Sequence, residues 1–93
     1  MRDPSGPELL ILARALLPVP ADARVDVAIR ILHEVEAADQ HLRLLNRCHP
    51  VLGDGSLMSR CLTLSPQAEP LARDPDFLSA TIAACQALQQ HFK

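Results

Sequence analysis

The ten residues 49–58 constrain the fold of this chain more than any other segment. Two of the chain's 3 glycines, Gly53 and Gly55, flank Asp54 here, between two stretches that both predict helix. Glycine loses more backbone entropy on ordering than any other residue, so this pattern indicates a required backbone shape. We expect a tight turn in which Asp54 or Ser56 caps the helix that follows.

The composition predicts an all-α fold. Of the 93 residues 48% are apolar, and Phe77 and Phe92 are the 2 aromatic ones. Leucine and alanine dominate, and both favour helix, whereas β-branched residues, which favour strands, are few. A chain of this length forms one domain with a single modest core. We therefore expect a disordered N-terminus over residues 1–6 and a compact four-helix domain over residues 7–93.

Hydrophobic periodicity and capping residues place the four helices. The first runs over about 7–17 and is apolar on all sides, so it must be covered on all sides. The second, about 21–46, is the long central helix. A short third helix covers about 56–64. Asp74 followed by proline is a strong start for a fourth helix that runs to about residue 91.

Three of these helices have a predicted core face, and the second has a predicted end. The second helix should bury apolar residues three and four apart, namely Ala28, Ile31, Leu32, Val35, Ala38, Leu42 and Leu45. The fourth should bury Phe77, Leu78, Thr81, Ile82, Cys85, Leu88 and Phe92. In the third, either Leu57, Cys61 and Leu64 or Met58 and Leu62 face inward. Asn46 can take the left-handed conformation that ends the second helix.

Charge and connection lengths disfavour a nucleic-acid module. The net charge is −2, and a phosphate-binding domain usually carries a clear basic excess. A helix-turn-helix needs a three- or four-residue turn, whereas about nine residues join the second and third helices. A basic cluster nonetheless surrounds the loop. The predicted partner-binding surface is Arg43, Arg47, His49, Asp54, Ser56 and Arg60. The alternatives are a DNA-contacting accessory domain that uses this cluster and a merely solvated set of charges.

Catalysis and metal binding are both disfavoured. Structural zinc takes four nitrogen or sulfur ligands, usually as two close pairs, and the adjacent side chains of Cys48 and His49 diverge. Calcium needs several oxygen ligands in alternation, and only Asp54 is present. Ser56 lacks the G-x-S-x-G elbow of a serine hydrolase. His49 and Asp54 could form a dyad, but the commoner role for His49 is to bond a loop carbonyl and fix the turn. We expect no catalytic residue, metal or cofactor.

The apolar first helix raises the question of self-association. Three other short helices can cover one or two of its faces, and exposed leucines would form a patch that monomers seldom tolerate. A homodimer through Leu9, Leu12 and Leu16 is therefore the favoured arrangement. The alternatives are a monomer that wraps this helix centrally and a monomer that keeps the surface for another partner.

The chain is expected to be cytoplasmic. Its apolar run over residues 9–17 is shorter than the roughly 20 residues needed to span a bilayer. Asp3 and Glu8 precede this run, whereas a secretory signal begins with a basic segment. The 3 cysteines cannot all pair within one chain, which fits reduced cytosolic thiols.

Several short runs carry a family resemblance. They are Glu36-Ala37-Ala38-Asp39 with Arg43, His49-Pro50, the Gly-Asp-Gly-Ser-Leu-Met run at 53–58 and Asp74-Pro75-Asp76-Phe77. Together they resemble a family of short uncharacterised alphaproteobacterial proteins, over about residues 10–88. The resemblance implies a link with regulators of gene transfer agents, the phage-derived particles of these bacteria. It thus implies a non-catalytic protein-interaction module in a transcription-linked assembly. The departures are Cys48, where a small residue is expected, and the polar end at 86–93.

Overall fold

The computed structural model describes residues 3–65 and 70–92. Its helices are α1 (Gly6–Leu16), α2 (Arg24–Leu45), α3 (Leu57–Leu64) and α4 (Pro75–His91), and a short 3₁₀ turn (Ala21–Ala23) precedes α2. The described ranges hold no β-strand, so the predicted all-α four-helix fold is confirmed. Part of the predicted N-terminal segment (residues 1 and 2) and of the loop after the third helix (66–69) lies outside the described residues, as does residue 93.

A capping box starts α1. The Ser5 hydroxyl accepts a hydrogen bond from the Glu8 N–H at 3.4 Å, and the Glu8 carboxylate accepts one from the Ser5 N–H at 3.2 Å. These two bonds satisfy donors that the helix leaves unpaired at its start. The helix therefore begins at Gly6, one residue before the predicted start at Pro7, and Ser5 is its N-cap.

The helices pack around α1 and α4. α4 lies against both α1 and α2, while α3 covers α1 and, less extensively, α2. Asp76 at the start of α4 is 2.7 Å from Arg24 at the start of α2. At the other end of α4, Leu88 lines a groove with Leu9 from the start of α1. α4 therefore runs antiparallel to α1.

Arg24 ties three elements together. Its Nε donates to the carbonyl oxygens of Leu16 at 3.0 Å and Val19 at 3.1 Å. One terminal nitrogen donates to the Leu17 carbonyl at 3.3 Å and to the Asp76 carboxylate at 2.7 Å. The side chain is buried, and it donates to carbonyls at the end of α1, where a helix lacks intrahelical donors. One cation thus joins the end of α1, the start of α2 and the start of α4.

The burial of α1 corrects the predicted dimer surface. Leu12 and Leu16 are both 0% exposed within a single copy of the chain, and Leu9 is half-buried. α3 and α4 cover the faces that we expected a second copy to cover. Leu12 and Leu16 therefore belong to the core of a single copy, as in the alternative that places α1 centrally, and they cannot form the predicted surface; homodimerisation itself stays a prediction.

The predicted core face of α2 is right over its first four turns. Its buried apolar residues are Ala28, Ile31, Leu32, Val35 and Ala38. Leu42 is half-buried and Leu45 is 52% exposed, so the predicted face extends too far. The reason is that α4 ends where His91 bonds Glu36, 3.2 Å away, and the last turns of α2 extend beyond it.

The predicted inner face of α4 is largely wrong. Its buried residues are Phe77 and four alanines, Ala80, Ala83, Ala84 and Ala87. Leu78, Ile82 and Phe92 are 49%, 60% and 47% exposed, while Thr81, Cys85 and Leu88 are half-buried. α4 packs against two helices at once, and alanines let their backbones approach closely. In α3 the inward residues are Leu57 and Cys61, and Leu64 of the predicted set is 38% exposed.

Candidate functional site

Backbone and side-chain hydrogen bonds close the loop between α2 and α3. The His49 N–H donates to the Gly53 carbonyl at 3.0 Å, and the Gly53 N–H donates to the His49 carbonyl at 3.2 Å. The His49 Nδ1 also accepts from the N–H groups of Val51 at 3.1 Å and Leu52 at 2.9 Å. This ring nitrogen must be unprotonated to accept, so the hydrogen is on Nε2. His49 fixes the turn as predicted, but through two N–H groups rather than a carbonyl.

The two loop glycines have backbone conformations that other residues rarely adopt. Gly53 has φ of 93° and Gly55 has φ of 87°. Gly55 also lies directly on α2: a Cβ added to it would be 2.6 Å from the Cα of Asp39. A side chain at position 55 would collide with helix backbone, which cannot move aside as a side chain can. The left-handed backbone conformation therefore favours glycine at positions 53 and 55, and at position 55 the lack of space for a side chain favours it as well.

Two side chains cap α3 from its own loop. The Ser56 hydroxyl accepts from the Ser59 N–H at 3.1 Å, so Ser56 is the N-cap. The Asp54 carboxylate accepts from the Ser56 N–H at 2.9 Å and supports the turn before the cap. A bond of the same spacing starts α4, where the Asp74 carboxylate accepts from the Asp76 N–H at 3.0 Å, but here the aspartate is itself the N-cap.

A third side chain, a carboxylate, reaches α3 from a distant part of the chain. Glu8, which closes the capping box of α1, also accepts from the Met58 N–H at 3.1 Å. Its side chain is buried, and it places negative charge at the positive end of α3. The Ser-x-x-Glu spacing in the sequence could have identified its role in α1, whereas its contact with α3 has no local signal.

The predicted basic cluster is divided in the structure. Arg60 is 3.2 Å from Glu34 of α2, and its side chain is only 16% exposed. Arg43 contacts Asp39 one turn earlier at 3.1 Å but keeps 72% of its side chain exposed. Arg47 is also exposed. Only two of the three arginines therefore face solvent beside the loop, and Arg60 contributes to helix packing instead.

Exposed apolar residues lie in the same segment, 43–51, as these two arginines. Leu44 is 80% exposed, Leu45 is 52% exposed, and Val51 at the apex of the loop is 71% exposed. Sequence reasoning missed them, although an apolar pair directly before the Asn46 cap was a visible signal. Asn46 itself has φ of 53°, the predicted left-handed conformation. We call the surface formed by Arg43, Leu44, Leu45, Arg47 and Val51 the distal surface.

Two histidines hold the loop against the end of α2. The His41 Nδ1 donates to the carbonyl of Arg47 at 3.1 Å, and the rings of His41 and His49 meet edge to face with centroids 4.9 Å apart. A depression of about 290 Å³ next to them is lined by His41, Arg47, Cys48 and Pro50. A second, of about 190 Å³, is lined by Asp39, Arg43, Asp54, Gly55 and Ser56. Both hollows are parts of the surface around the loop.

The cysteines differ in their chemistry. Burial raises the pKa of the Cys61 thiol to about 12, so this thiol stays protonated at neutral pH. The thiolate is the reactive and metal-binding form, so Cys61 is a packing residue. Cys48 is exposed and Cys85 is half-buried. Over residues 3–65 and 70–92, no group of three or more His, Cys, Asp or Glu side chains could hold a metal ion.

None of the helices in the described ranges is long and apolar enough to cross a membrane.

The comparisons with known proteins identify a family for this chain. No curated protein and no solved structure matches the chain. A family model described as a domain of unknown function, DUF7742, matches residues 8–88. This match extends from the first turn of α1 through the loop and almost to the end of α4. The chain therefore belongs to the DUF7742 family.

Proposed function

We propose that this chain is a non-catalytic protein-interaction module and that the distal surface is where its partner binds. The main support is that Leu44 and Val51 are 80% and 71% exposed, and that Leu44 lines a surface depression together with the solvent-facing Arg43. Apolar side chains that are mostly exposed lose water only when a partner covers them. Arginine next to apolar residues is also typical of interface cores, where it is enriched.

The rigidity of the loop supports this proposal. His49 bonds two backbone N–H groups, Gly55 packs on α2 and Ser56 caps α3, so the loop is held from both sides. Val51 is at the apex of this fixed turn. A surface that is already ordered costs less entropy to bind than one that must order on binding. The contacts that stabilise the loop therefore also favour recognition.

The chemistry of the surface suggests the class of partner. Two guanidinium groups beside three aliphatic side chains fit a protein surface with carboxylates next to an apolar patch. The family resemblance noted from the sequence suggests that such a partner belongs to a bacterial regulatory assembly linked to transcription and gene transfer agents. That setting is part of the proposal and rests on the resemblance alone.

The DNA-contacting alternative has less support than the sequence suggested. Its basic patch needed Arg43, Arg47 and Arg60, and Arg60 is paired with Glu34 instead. The acidic residues Asp39 and Asp54 line the hollow beside Arg43, so the local positive charge is small. DNA binding would show as a gel shift whose affinity falls steeply with salt.

The test compares the wild-type chain with Leu44→Ser and with the matched control Leu62→Ser. Leu62 is 59% exposed on α3, which follows the loop, whereas Leu44 is on α2, which precedes it. Each tagged chain captures proteins from an extract of the source organism, and mass spectrometry identifies them. We expect a protein that the wild type and Leu62→Ser retain and that Leu44→Ser loses.

Purified partner and chain then give dissociation constants by calorimetry. Truncating a central interface residue typically costs about 2 kcal/mol, or roughly thirtyfold in affinity. Equal binding by Leu44→Ser and wild type would refute the distal surface as the binding site. A steeply salt-dependent gel shift without any protein partner would favour the DNA alternative.

A further inference from the structure

His49 holds the turn of residues 49–53 through a ring nitrogen that must stay unprotonated. Its Nδ1 accepts hydrogen bonds from the N–H groups of Val51 at 3.1 Å and Leu52 at 2.9 Å. The lone pair that accepts these bonds is also the one that takes up a proton when the ring becomes charged. A charged imidazole is a donor at both nitrogens and accepts at neither. Protonation therefore removes both of these bonds at once.

The two bonds hold the apex of the turn, whereas backbone bonds close its base. His49 and Gly53 exchange two backbone hydrogen bonds, at 3.0 and 3.2 Å. Pro50 has no N–H to contribute between them. The N–H groups of Val51 and Leu52 point to the His49 ring, and Val51 is 71% exposed. The position of Val51 on the distal surface thus depends on the protonation state of His49.

The neighbouring histidine on α2 responds to acid differently. The His41 Nδ1 donates to the Arg47 carbonyl at 3.1 Å, and a donor nitrogen keeps its hydrogen when the ring is protonated. The rings of His41 and His49 meet edge to face with centroids 4.9 Å apart. Two charged rings at this distance repel each other. Since His41 keeps its bond and His49 loses both of its own, His49 is the ring that should leave the contact.

The groups around the two rings do not compensate a charge on His49. Arg47 and Cys48 line the depression next to His41, so the charged neighbour there is itself positive. α3 contributes the neutral hydroxyl of Ser59, close to Gly53. Within residues 3–65 and 70–92, no ion pair joins His49 to a carboxylate.

The carboxylates of the loop region have other partners. Asp39 and Asp54 line the second hollow together with Arg43. Asp39 is paired with Arg43 at 3.1 Å, and Asp54 accepts from the Ser56 N–H at 2.9 Å. A protonated His49 therefore exchanges two hydrogen bonds inside the turn for solvent.

We propose that the turn of residues 49–53 is an acid-sensitive switch of the distal surface. A proton from solvent on the His49 Nδ1 releases the N–H groups of Val51 and Leu52, and the apex of the loop loses its fixed shape. Histidine changes its charge between about pH 5 and 8, so the turn should open in mild acid. The loss of partner binding that follows rests on the proposed function, whereas the opening of the turn does not.

The same bonds argue against a metal site at this pair of histidines. A neutral imidazole has one unprotonated nitrogen, and in His49 the turn already uses it. A metal ion binds the unprotonated nitrogen as well, so it would compete with the turn rather than stabilise it.

Residue-resolved NMR on the full chain, without a partner, tests the switch from about pH 8 to about pH 5. The total stability would not isolate His49, because His91 bonds Glu36 at 3.2 Å and that pair gains when His91 is protonated. At the upper pH the ring nitrogen signals of His49 should place the hydrogen on Nε2. As the pH falls, the amide protons of Val51 and Leu52 should shift with the midpoint of the His49 ring. Their protection from hydrogen exchange should fall about fivefold or more.

His49→Asn separates the switch from a merely structural role. An asparagine carbonyl oxygen accepts from the N–H two residues further on, and its amide does not titrate. This variant should keep the Val51 amide bonded at both pH values and show no transition. His41→Gln is the matched control, because its amide still donates to the Arg47 carbonyl, and the transition at His49 should remain.

Three results would overturn the switch. They are a His49 ring that stays neutral down to about pH 5, amides of Val51 and Leu52 that do not move while the ring titrates, and the same transition in His49→Asn. Circular dichroism shows that each variant is folded, and the wild-type titration decides the matter if His49→Asn is not.

The consequence for binding is measured in the capture experiment with the distal surface. A partner that the wild type retains at about pH 7.5 should be released by a wash at about pH 5.5 and should stay on His49→Asn. Equal release from both chains would overturn the regulation, because titration of the partner itself would then account for it. If no protein distinguishes the wild type from Leu44→Ser at the upper pH, the proposed function fails, and the NMR titration still decides the switch.

Discussion

Of the 3 glycine-to-alanine replacements that this chain allows, Gly55→Ala should lower the free energy of unfolding the most. Gly55 has φ of 87°, and its added Cβ would lie 2.6 Å from the Cα and 2.9 Å from the Cβ of Asp39. Left-handed backbone costs an ordinary L-residue about 1–2 kcal/mol. Overpacking against immobile atoms adds about 1–3 kcal/mol. The expected loss is therefore about 2–5 kcal/mol.

The other two glycines supply graded controls. Gly53 has φ of 93°, but its added Cβ would meet the Ser59 hydroxyl, which can rotate away, so Gly53→Ala should cost only about 1–2 kcal/mol. Gly6 has nothing within 4 Å of an added Cβ and is the first residue of α1. Alanine there favours helix, so Gly6→Ala should stabilise by zero to about 1 kcal/mol.

Urea unfolding followed by circular dichroism measures all three variants against the wild type. A domain of this size has a total stability of about 5–14 kcal/mol, so the Gly55→Ala loss is a large fraction of it. Its melting temperature should fall by at least about 8 °C. If Gly55→Ala unfolds within 0.5 kcal/mol (about the error of the method) of Gly6→Ala, the close approach of the loop to α2 is not part of the folded state.

Three further predictions concern buried groups. Arg24→Met should cost about 3 kcal/mol in urea unfolding, because three carbonyls and one carboxylate lose a charged donor, although the Leu16 carbonyl keeps its bond from the Val19 N–H. Glu8→Ala should cost more than Ser5→Ala in the same assay, since Glu8 accepts from the starts of two helices; equal losses would mean that the contact with α3 contributes nothing. In the native chain at pH 8, iodoacetamide should label Cys48 and spare Cys61, whose pKa burial raises to about 12. Labelling of Cys61 should rise only as the pH approaches that value or the chain unfolds, and fast native labelling at pH 8 would contradict its burial.

The parts of the fold that local chemistry determines could be predicted from the sequence. Asp74 before a proline starts α4, Ser56 starts α3 and Asn46 ends α2, each through contacts that lie within a few residues. The role of Ser5 as the N-cap of α1 could have been predicted in the same way, because the Ser-x-x-Glu spacing is a local signal as well. Helix ends are set by bonds to their own first and last turns, so a short window of sequence contains the information.

The site depends on contacts that no short window contains. Arg60 and Arg43 look alike in the sequence, yet Arg60 pairs with Glu34, which is 26 residues away, and Arg43 stays exposed. The role of Arg24 could not be predicted for the same reason, because its partner Asp76 lies 52 residues further along the chain. Packing decides which arginines remain available to a partner. The sequence could therefore name every arginine near the loop, but it could not tell which of them face solvent.

The misplaced face of α4 follows from a rule that ranks residues by hydrophobicity alone. On that rule Leu78 and Ile82 should be buried, and Ala84 should have no strong preference for burial or exposure. In the structure Leu78 and Ile82 are exposed, whereas Ala84 is completely buried. α4 packs between α1 and α2, and close contact with two backbones favours small side chains over large ones. The large apolar residues are therefore displaced to the outer face. Burying alanines inside a monomer yields less hydrophobic stabilisation than burying leucines.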